Sequence, residues 1–364
     1  METITTQQPA ATKHARNSSV ELLRLFSLLG ITLCHIMGSG DELIGFNRYV
    51  VVAGNSFFNA GTGVICFMLI TGYYGLKLSA VRFNKIYSII YSCAMAHLAY
   101  TFIIKEPSFE VTVHSLIPVS SSKWWYASCY IFTLLLSPFL NMVIERLSKK
   151  EFTCLIFVSI FLFYVIPTFL YFDIMNDRGK GLAAMIVVYF IGAYLRKYPV
   201  NISSKRLFAA LLILLLMMLA GNIAGALILD EACWPFSRDC TATTLAAAVI
   251  EFLLALKFNY SSKAINLVSS KTFYMFLLAN VTQRHYIPID GYSNSLLFFP
   301  VCAANALITV ALAFVISLVL QYAARLIEII LNAVERLIVK LFKSKPAQKL
   351  KNKLFNFLKT EINV

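Results

Sequence analysis

Glu21, Arg24 and His35 have the residue types and the spacing for acid–base chemistry inside a membrane. They lie in the run ELLRLFSLLGITLCH, Glu21 to His35. Arg24 and His35 are eleven positions apart, which on a helix is three turns plus about 20° and a rise of about 16 Å, so they share a face. Glu21 falls within about 60° of the same stripe, and its i,i+3 spacing lets it pair with Arg24. A cation at mid-membrane costs roughly 2.5–3.5 kcal/mol on insertion scales, so ionisable groups in a span point first to function. An imidazole can act as general base near neutral pH, taking the proton of a hydroxyl that attacks an acyl carbonyl. An arginine fork suits phosphates, such as those of a nucleotide-bearing acyl donor. Two plainer readings are also open. Arg24, one turn inside the apolar run, fits a snorkelling interfacial arginine, and His35 fits a packed histidine donating to a backbone carbonyl.

The elements that carry these residues are set by composition. Of 364 residues, 59% are hydrophobic and 14% charged, and mean hydropathy is +0.73. Soluble domains have about 45–50% apolar and about 25% charged residues, so the solvent here is the bilayer. Crossing it takes about 20 mostly apolar residues. The apolar runs predict ten spans: Val20 to Met37, Val50 to Tyr74, Phe83 to Ile104, Trp125 to Ile144, Phe152 to Phe172, Gly181 to Leu195, Leu207 to Leu229, Thr241 to Phe258, Thr272 to Ile289 and Leu296 to Leu320. The ninth is the most polar, with Asn280, Gln283 and Arg284. Of the 32 Lys and Arg, 24 fall on the side of the amino-terminal segment, alternate loops and span ends, and the chain after Tyr322, against seven on the other side, with Arg24 inside the first span. By the positive-inside rule this predicts an all-α polytopic membrane protein of about ten transmembrane helices with both termini cytoplasmic. The polar first nineteen residues read as a cytoplasmic segment, with no cleavable signal peptide, so the first span stays as an anchor. From Tyr322 to Lys343, Arg325, Glu328, Asn332, Glu335, Arg336, Lys340 and Lys343 form one stripe. This predicts an amphipathic helix in the membrane interface, followed by a Lys-rich tail from Lys345 to Lys359.

The motifs, taken in order, resemble one family. RNSSVELLRLFSLLGITLCH (Arg16 to His35) is similar to the opening of the acyltransferase 3 family, in which an acidic residue, an Arg and a His eleven positions after it lie on the first helix. GTGVICFMLITGYYGLKL (Gly61 to Leu78) resembles its second-helix segment. VRFNKIYSIIY (Val81 to Tyr91) resembles the basic start of its third helix. KWWYASCYIFTLLLSPFLN (Lys123 to Asn141) resembles its Trp-Tyr helix, and GLAAMIVVYFIGAYLRKY (Gly181 to Tyr198) its later Tyr-x-x-Gly-x-x-Leu-Arg segment. The resemblance spans Arg16 to Leu320. It implies a ten-helix enzyme, here residues 20–320 followed by the amphipathic segment and tail at 321–364. Such an enzyme takes an acyl group, commonly acetyl from acetyl-CoA, and places it on a hydroxyl of a cell-surface glycan or glycolipid. It further implies Arg24 and His35 as the essential pair with Glu21 in the acidic position, Arg82 and Lys85 as donor contacts with Arg24, and Trp125 and its neighbour Tyr126 as acceptor or structural motif residues. Three departures stand out. The start of helix three lacks a proline between Ile86 and Tyr91, FLLAN (Phe276 to Asn280) stands where the family often has Tyr-Leu-Ile-His, and Cys34 precedes His35 where some members have a second histidine.

The resemblance implies no tightly bound cofactor; acetyl-CoA would be a substrate. Among partners it implies acyl-CoA, a glycan or glycolipid and the lipid bilayer of the cell membrane. The net charge of +14 needs no nucleic acid, because basic span ends are the ordinary topology signal. There is no HExxH, no P-loop, no GxSxG and no Cys/His cluster, so metal, ATP and serine-hydrolase readings have no motif. Cys233 and Cys240, in an outer loop, are the disulfide candidates among eight cysteines. Trp124, Trp125 and Tyr126 fit either an interfacial aromatic belt or stacking on sugar faces. His97, His114 and His285 fit core or surface histidines as well as cavity or sugar contacts. The competing function is a non-enzymatic transporter or lipid-linked glycan flippase, for which broken helices or paired repeats near the midplane are the expected mark.

Overall fold

The computed structural model describes residues 16–38, 46–104, 108–170, 175–282, 286–289, 292 and 295–342. Lys13, Lys105, Arg284, His285 and the Lys345 to Lys359 tail lie outside these. The described residues contain helices and no strand. Lipid offers no hydrogen-bond partner, and a helix satisfies its own backbone. The helices are α1 (Ser18–Met37), α2 (Phe46–Phe57), α3 (Ala60–Tyr74), α4 (Ala80–Ile104), α5 (Phe109–Leu116), α6 (Trp125–Arg146), α7 (Lys149–Ile160), α8 (Ile166–Leu170), α9 (Leu182–Lys197), α10 (Ser204–Leu229), α11 (Ala242–Lys257), α12 (Lys263–Ser269), α13 (Thr272–Thr282) and α14 (Phe298–Phe342).

Among the described residues, seven helical stretches are long and apolar enough to cross a membrane: Ser18–Met37, Asn47–Tyr74, Ala80–Ile104, Trp125–Arg146, Lys149–Leu170, Ser204–Leu229 and Phe298–Leu341. The other three expected spans appear as shorter helices, α9 and α11 of 16 residues and α13 of 11. The second stretch is broken between α2 and α3 at Phe58 and Asn59. Asn59 mends the break by accepting hydrogen bonds from the backbone N–H of Gly61 and Thr62. A π-helical turn, Phe161–Val165, joins α7 to α8, just before Pro167, which lacks an N–H to continue the ladder.

The core is built around α3, which packs on α9 and α1. Glycines set this approach. A Cβ on Gly72 would stand 2.2 Å from the Tyr189 carbonyl oxygen, and one on Gly192 would stand 2.3 Å from that of Leu69. Small residues allow such backbone-to-backbone packing between helices that have no hydrophobic drive to associate in lipid. On the outside, α7, α8 and α10 expose Phe157, Phe169, Phe208 and Ile228, as lipid-facing surfaces should. The 45 residues of α14 run about 68 Å, over twice the roughly 30 Å hydrocarbon layer. The segment from Tyr322 thus continues the preceding helix without a break. Part of its polar stripe meets the bundle: Asn84 of α4 donates to Asn332 Oδ1 at 2.8 Å and to Glu335 Oε2 at 3.0 Å.

Candidate active site

The end of the bundle where α1 starts is the near end, and the opposite end is the far end. Asn17 caps α1 by accepting from Ser19 N–H, and Ser18 N–H donates to the Tyr260 carbonyl at 2.8 Å, fixing this start beside the end of α11. Arg24 and Glu21 form an ion pair at 3.2 Å. Glu21 is buried and also accepts a hydrogen bond from Ser269 Oγ of α12. A buried carboxylate needs such partners.

At the far end of the same helix, residues 30–34, 36 and 37 are buried while His35 is exposed. Its imidazole opens into a cavity of about 480 Å³ that also receives Trp124, Trp125, Trp234, Lys123, Lys180 and Asp239. Side-chain amides bring these distant segments together. Asn59 Nδ2 donates to the Ser237 carbonyl at 2.6 Å and to Thr244 Oγ1 at 3.1 Å. Asn222 of α10, fully buried, donates to Ser237 Oγ at 2.7 Å and to Ser56 Oγ at 3.0 Å, and accepts from Phe236 N–H at 2.8 Å. The loop carrying Trp234 and Asp239 is thereby tied to α2, α3 and α10. Lys180 Nζ lies 3.7 Å from Asp239 Oδ2. Burial holds the Asp239 carboxyl above its ordinary value of 3.8, against the opposing pull of Lys180, and burial pushes the Lys123 ammonium below its ordinary value.

A second cavity, of about 560 Å³, lies at the near end and is lined by Tyr73, Tyr74, Lys77, Arg82, Arg196 and Lys197, among others. Arg196 donates to the Tyr73 and Tyr74 carbonyls at 3.0 and 3.3 Å, closing α3, and Lys197 donates to Ile144 and Leu147 carbonyls, closing α6. Arg82 donates to the Lys77 carbonyl at 3.2 Å. Tyr189 donates to Asn141 Oδ1 at 2.8 Å and accepts from Leu76 N–H, so the turn after α3 is pinned to α6 and α9. Arg24 is in electrostatic range of Tyr74 on this side and of Tyr126 and Tyr130 deeper in. Tyr126 and Phe276 of the far-end cavity cluster with Phe67, ring centroids 5.5 to 6.1 Å apart.

Of the residues singled out from sequence, Glu21 and Arg24 are joined, and His35, Trp125 and Tyr126 share the far-end cavity. Arg82 lines the near-end cavity. Lys85 does not; it is exposed on α4, within electrostatic range of Lys271. His97 and His114 line neither cavity, and His97 keeps a buried Nδ1 without a hydrogen bond. Lys77, Arg196, Lys197, Lys123, Lys180, Asp239, Trp234 and Asn59 carry no signal in sequence beyond ordinary loop or helix-end chemistry, except that Arg196 closes the Tyr-x-x-Gly-x-x-Leu-Arg segment. Cys233 and Cys240 are not bonded to each other. Among the described residues no group of three or more His, Cys, Asp or Glu could hold a metal ion.

Fold and cavities together define a helical, multi-span membrane protein with an imidazole in a far-end cavity and a basic cavity at the near end. The chain belongs to the acyltransferase 3 family: the family's profile of the acyltransferase domain matches residues 17–325. No curated protein and no solved structure matches it.

The folded chain holds the Asp239 proton more tightly than the unfolded chain does. Unfolding free energy therefore falls as pH rises from 3.8 through the raised folded value, because the native state binds more protons in that window. Asp239→Asn is expected to flatten this part of the Tm-against-pH curve, followed in detergent from about pH 4 to about pH 7. A slope equal to that of the wild type would show that the carboxyl is not held protonated.

Proposed function

We propose that this protein is a membrane-bound O-acyltransferase of the cell membrane that moves acetyl from acetyl-CoA to a hydroxyl of a cell-surface or exported polysaccharide or glycolipid. The observation that carries the reading is the exposed imidazole of His35 in the far-end cavity, on the same helix face as Arg24 and about 16 Å along it. Family membership supports acyl transfer. The near end is taken as cytoplasmic, both termini lie there, and α9, α11 and α13 count as spans beside the seven longer ones, giving ten. The excess of Lys and Arg at the near end supports this orientation.

In this reading Arg24 and Arg82, joined by Lys77 and Arg196, hold the phosphates of the donor, and Glu21 fixes the Arg24 fork. Lys85, outside the cavity, adds only to the local positive field. The extended pantetheine arm then points along α1, and its reach is comparable to the distance from Arg24 to His35. An acceptor hydroxyl enters from the far end, against Trp125 and Tyr126. As its oxygen attacks the thioester carbonyl, its proton passes to His35. The tetrahedral intermediate collapses with cleavage of the carbon–sulfur bond, and the imidazolium returns the proton to the departing thiolate. The acceptor leaves as an ester and the donor as a free thiol. General-base assistance of this kind is commonly worth about 10²–10⁴ in rate.

Three outcomes test the scheme. In a background lacking Cys154 and Cys233, Arg178→Cys should react with a membrane-impermeant maleimide on intact cells and Lys149→Cys only after permeabilisation; the reverse pattern would overturn the topology. Arg82→Ala should raise the KM for acetyl-CoA by more than it lowers kcat, so an unchanged KM in folded protein argues against a phosphate contact. His35→Gln keeps volume and some hydrogen bonding but removes the base. At normal expression it should lower transfer of labelled acetyl into glycan by about 10²-fold or more. Wild-type product levels would sink the catalytic role, and uptake of label without transfer would favour a transporter.

A further inference from the structure

The chain has three tryptophans, and all three, Trp124, Trp125 and Trp234, line the far-end cavity. Two come from the start of α6 and one from the loop after α10, more than a hundred positions away in sequence. An interfacial belt would scatter its rings around the outside of the bundle; these converge on one space beside His35. The charges there are unbalanced. Among the described residues that line the cavity, Lys123 and Lys180 face a single carboxylate, Asp239, which lies within ion-pair distance of Lys180 alone. Lys123 has the Ser115 hydroxyl, to which Nζ donates at 3.0 Å, and the face of the Trp124 ring, 5.5 Å from Nζ. Among the described residues it has no carboxylate partner. A half-buried ammonium with one neutral acceptor has lost water without gaining a counter-ion, and an anion brought by a ligand would supply it.

We propose that the acceptor is an acidic saccharide, bearing a carboxylate or a phosphate on or next to the sugar that presents its hydroxyl to His35, with Lys123 as the residue that reads this charge. This rests on the acyl-transfer reading of the same cavity. Indole faces pack against the apolar C–H face of a pyranose and leave one side group of the sugar to be recognised by charge. Lys123, seated against Trp124, contacts an anion at the edge of a ring stacked there. Lys180, already paired, holds Asp239 and the loop of Trp234 in place.

Because every tryptophan lines this cavity, intrinsic fluorescence of the full-length protein in detergent reports its occupancy without any chemistry. Maltotriose, trigalacturonate and a phosphate ester of maltotriose serve as neutral, carboxylate and phosphate probes. One of the acidic probes is expected to change the emission at a concentration about fivefold or more below that needed for maltotriose, as a partly screened single ion pair allows. The preference should weaken with added salt. The probe that responds identifies the anion. Lys123→Gln should abolish the preference while leaving the maltotriose curve in place, and Lys123→Arg should retain it, which separates loss of charge from loss of fold. Equal response to neutral and acidic probes, no response to either acid, or a preference that survives Lys123→Gln would each overturn the proposal. Labelled acetyl-CoA is then added to the same samples. A charge preference without acetyl transfer to any probe would count against acyl transfer alone, and transfer without a charge preference against the acidic acceptor alone.

Discussion

A charged or titratable side chain carried into a bilayer must be given either a counter-charge or a polar space, and α1 meets both demands on one face. Arg24 is matched by Glu21, and Glu21 in turn by Ser269 from a helix nearly 250 positions later. His35 is instead given an open cavity. These two solutions, one at each end of a single helix, set requirements for most of the bundle. The near end must supply polar partners, the far end must hold a space open, and the packing between must be tight enough that α1 stays in register with both.

That packing depends on α3. It can lie against α9 only because Gly72 and Gly192 let backbones approach to distances at which any Cβ would collide. The same helix is interrupted at Phe58 and Asn59, and the interruption is useful. Cys34 Sγ donates to the Phe58 carbonyl at 2.7 Å, which ties the break to the turn of α1 that carries His35. Asn59 caps the new helix start and holds the Ser237 carbonyl. Irregular backbone at membrane depth is tolerated where protein surrounds it or where it borders a cavity, and Asn59 borders the far-end cavity.

Helical periodicity and apolar length made the seven longer stretches legible, along with the Glu21, Arg24 and His35 stripe, since both depend on neighbours within one segment. The other three apolar runs expected to span form only the short helices α9, α11 and α13, each of 16 residues or fewer. The last helix shows the converse. No glycine or proline interrupts 322–342, so α14 continues, although its polar stripe suggests a separate element. The resemblance of the helix-three start groups Lys85 with Arg82, yet Arg82 lines the near-end cavity and Lys85 does not. Lys123, Lys180, Asp239 and Trp234 were illegible for a different reason. Loop residues gain their meaning from partners such as Asn59 and Asn222, whose long-range hydrogen bonds have no local pattern.

The aromatic cluster of Phe67, Tyr126 and Phe276 borders the far-end cavity through Tyr126 and Phe276. On the proposed reaction its position has a physical consequence. A thioester brought to His35 would meet these rings rather than open water on that wall of the cavity, and water is the nucleophile most able to destroy it. Excluding solvent from the path while leaving polar space at both ends keeps the acyl group for the hydroxyl that His35 deprotonates. Tyr126 lines the far-end cavity while lying in electrostatic range of Arg24. On that proposal one ring would lie in range of the donor's anchoring charge and also border the space that holds the acceptor, which would give the adjacent Trp125 and Tyr126 a reason to occur together at the start of α6.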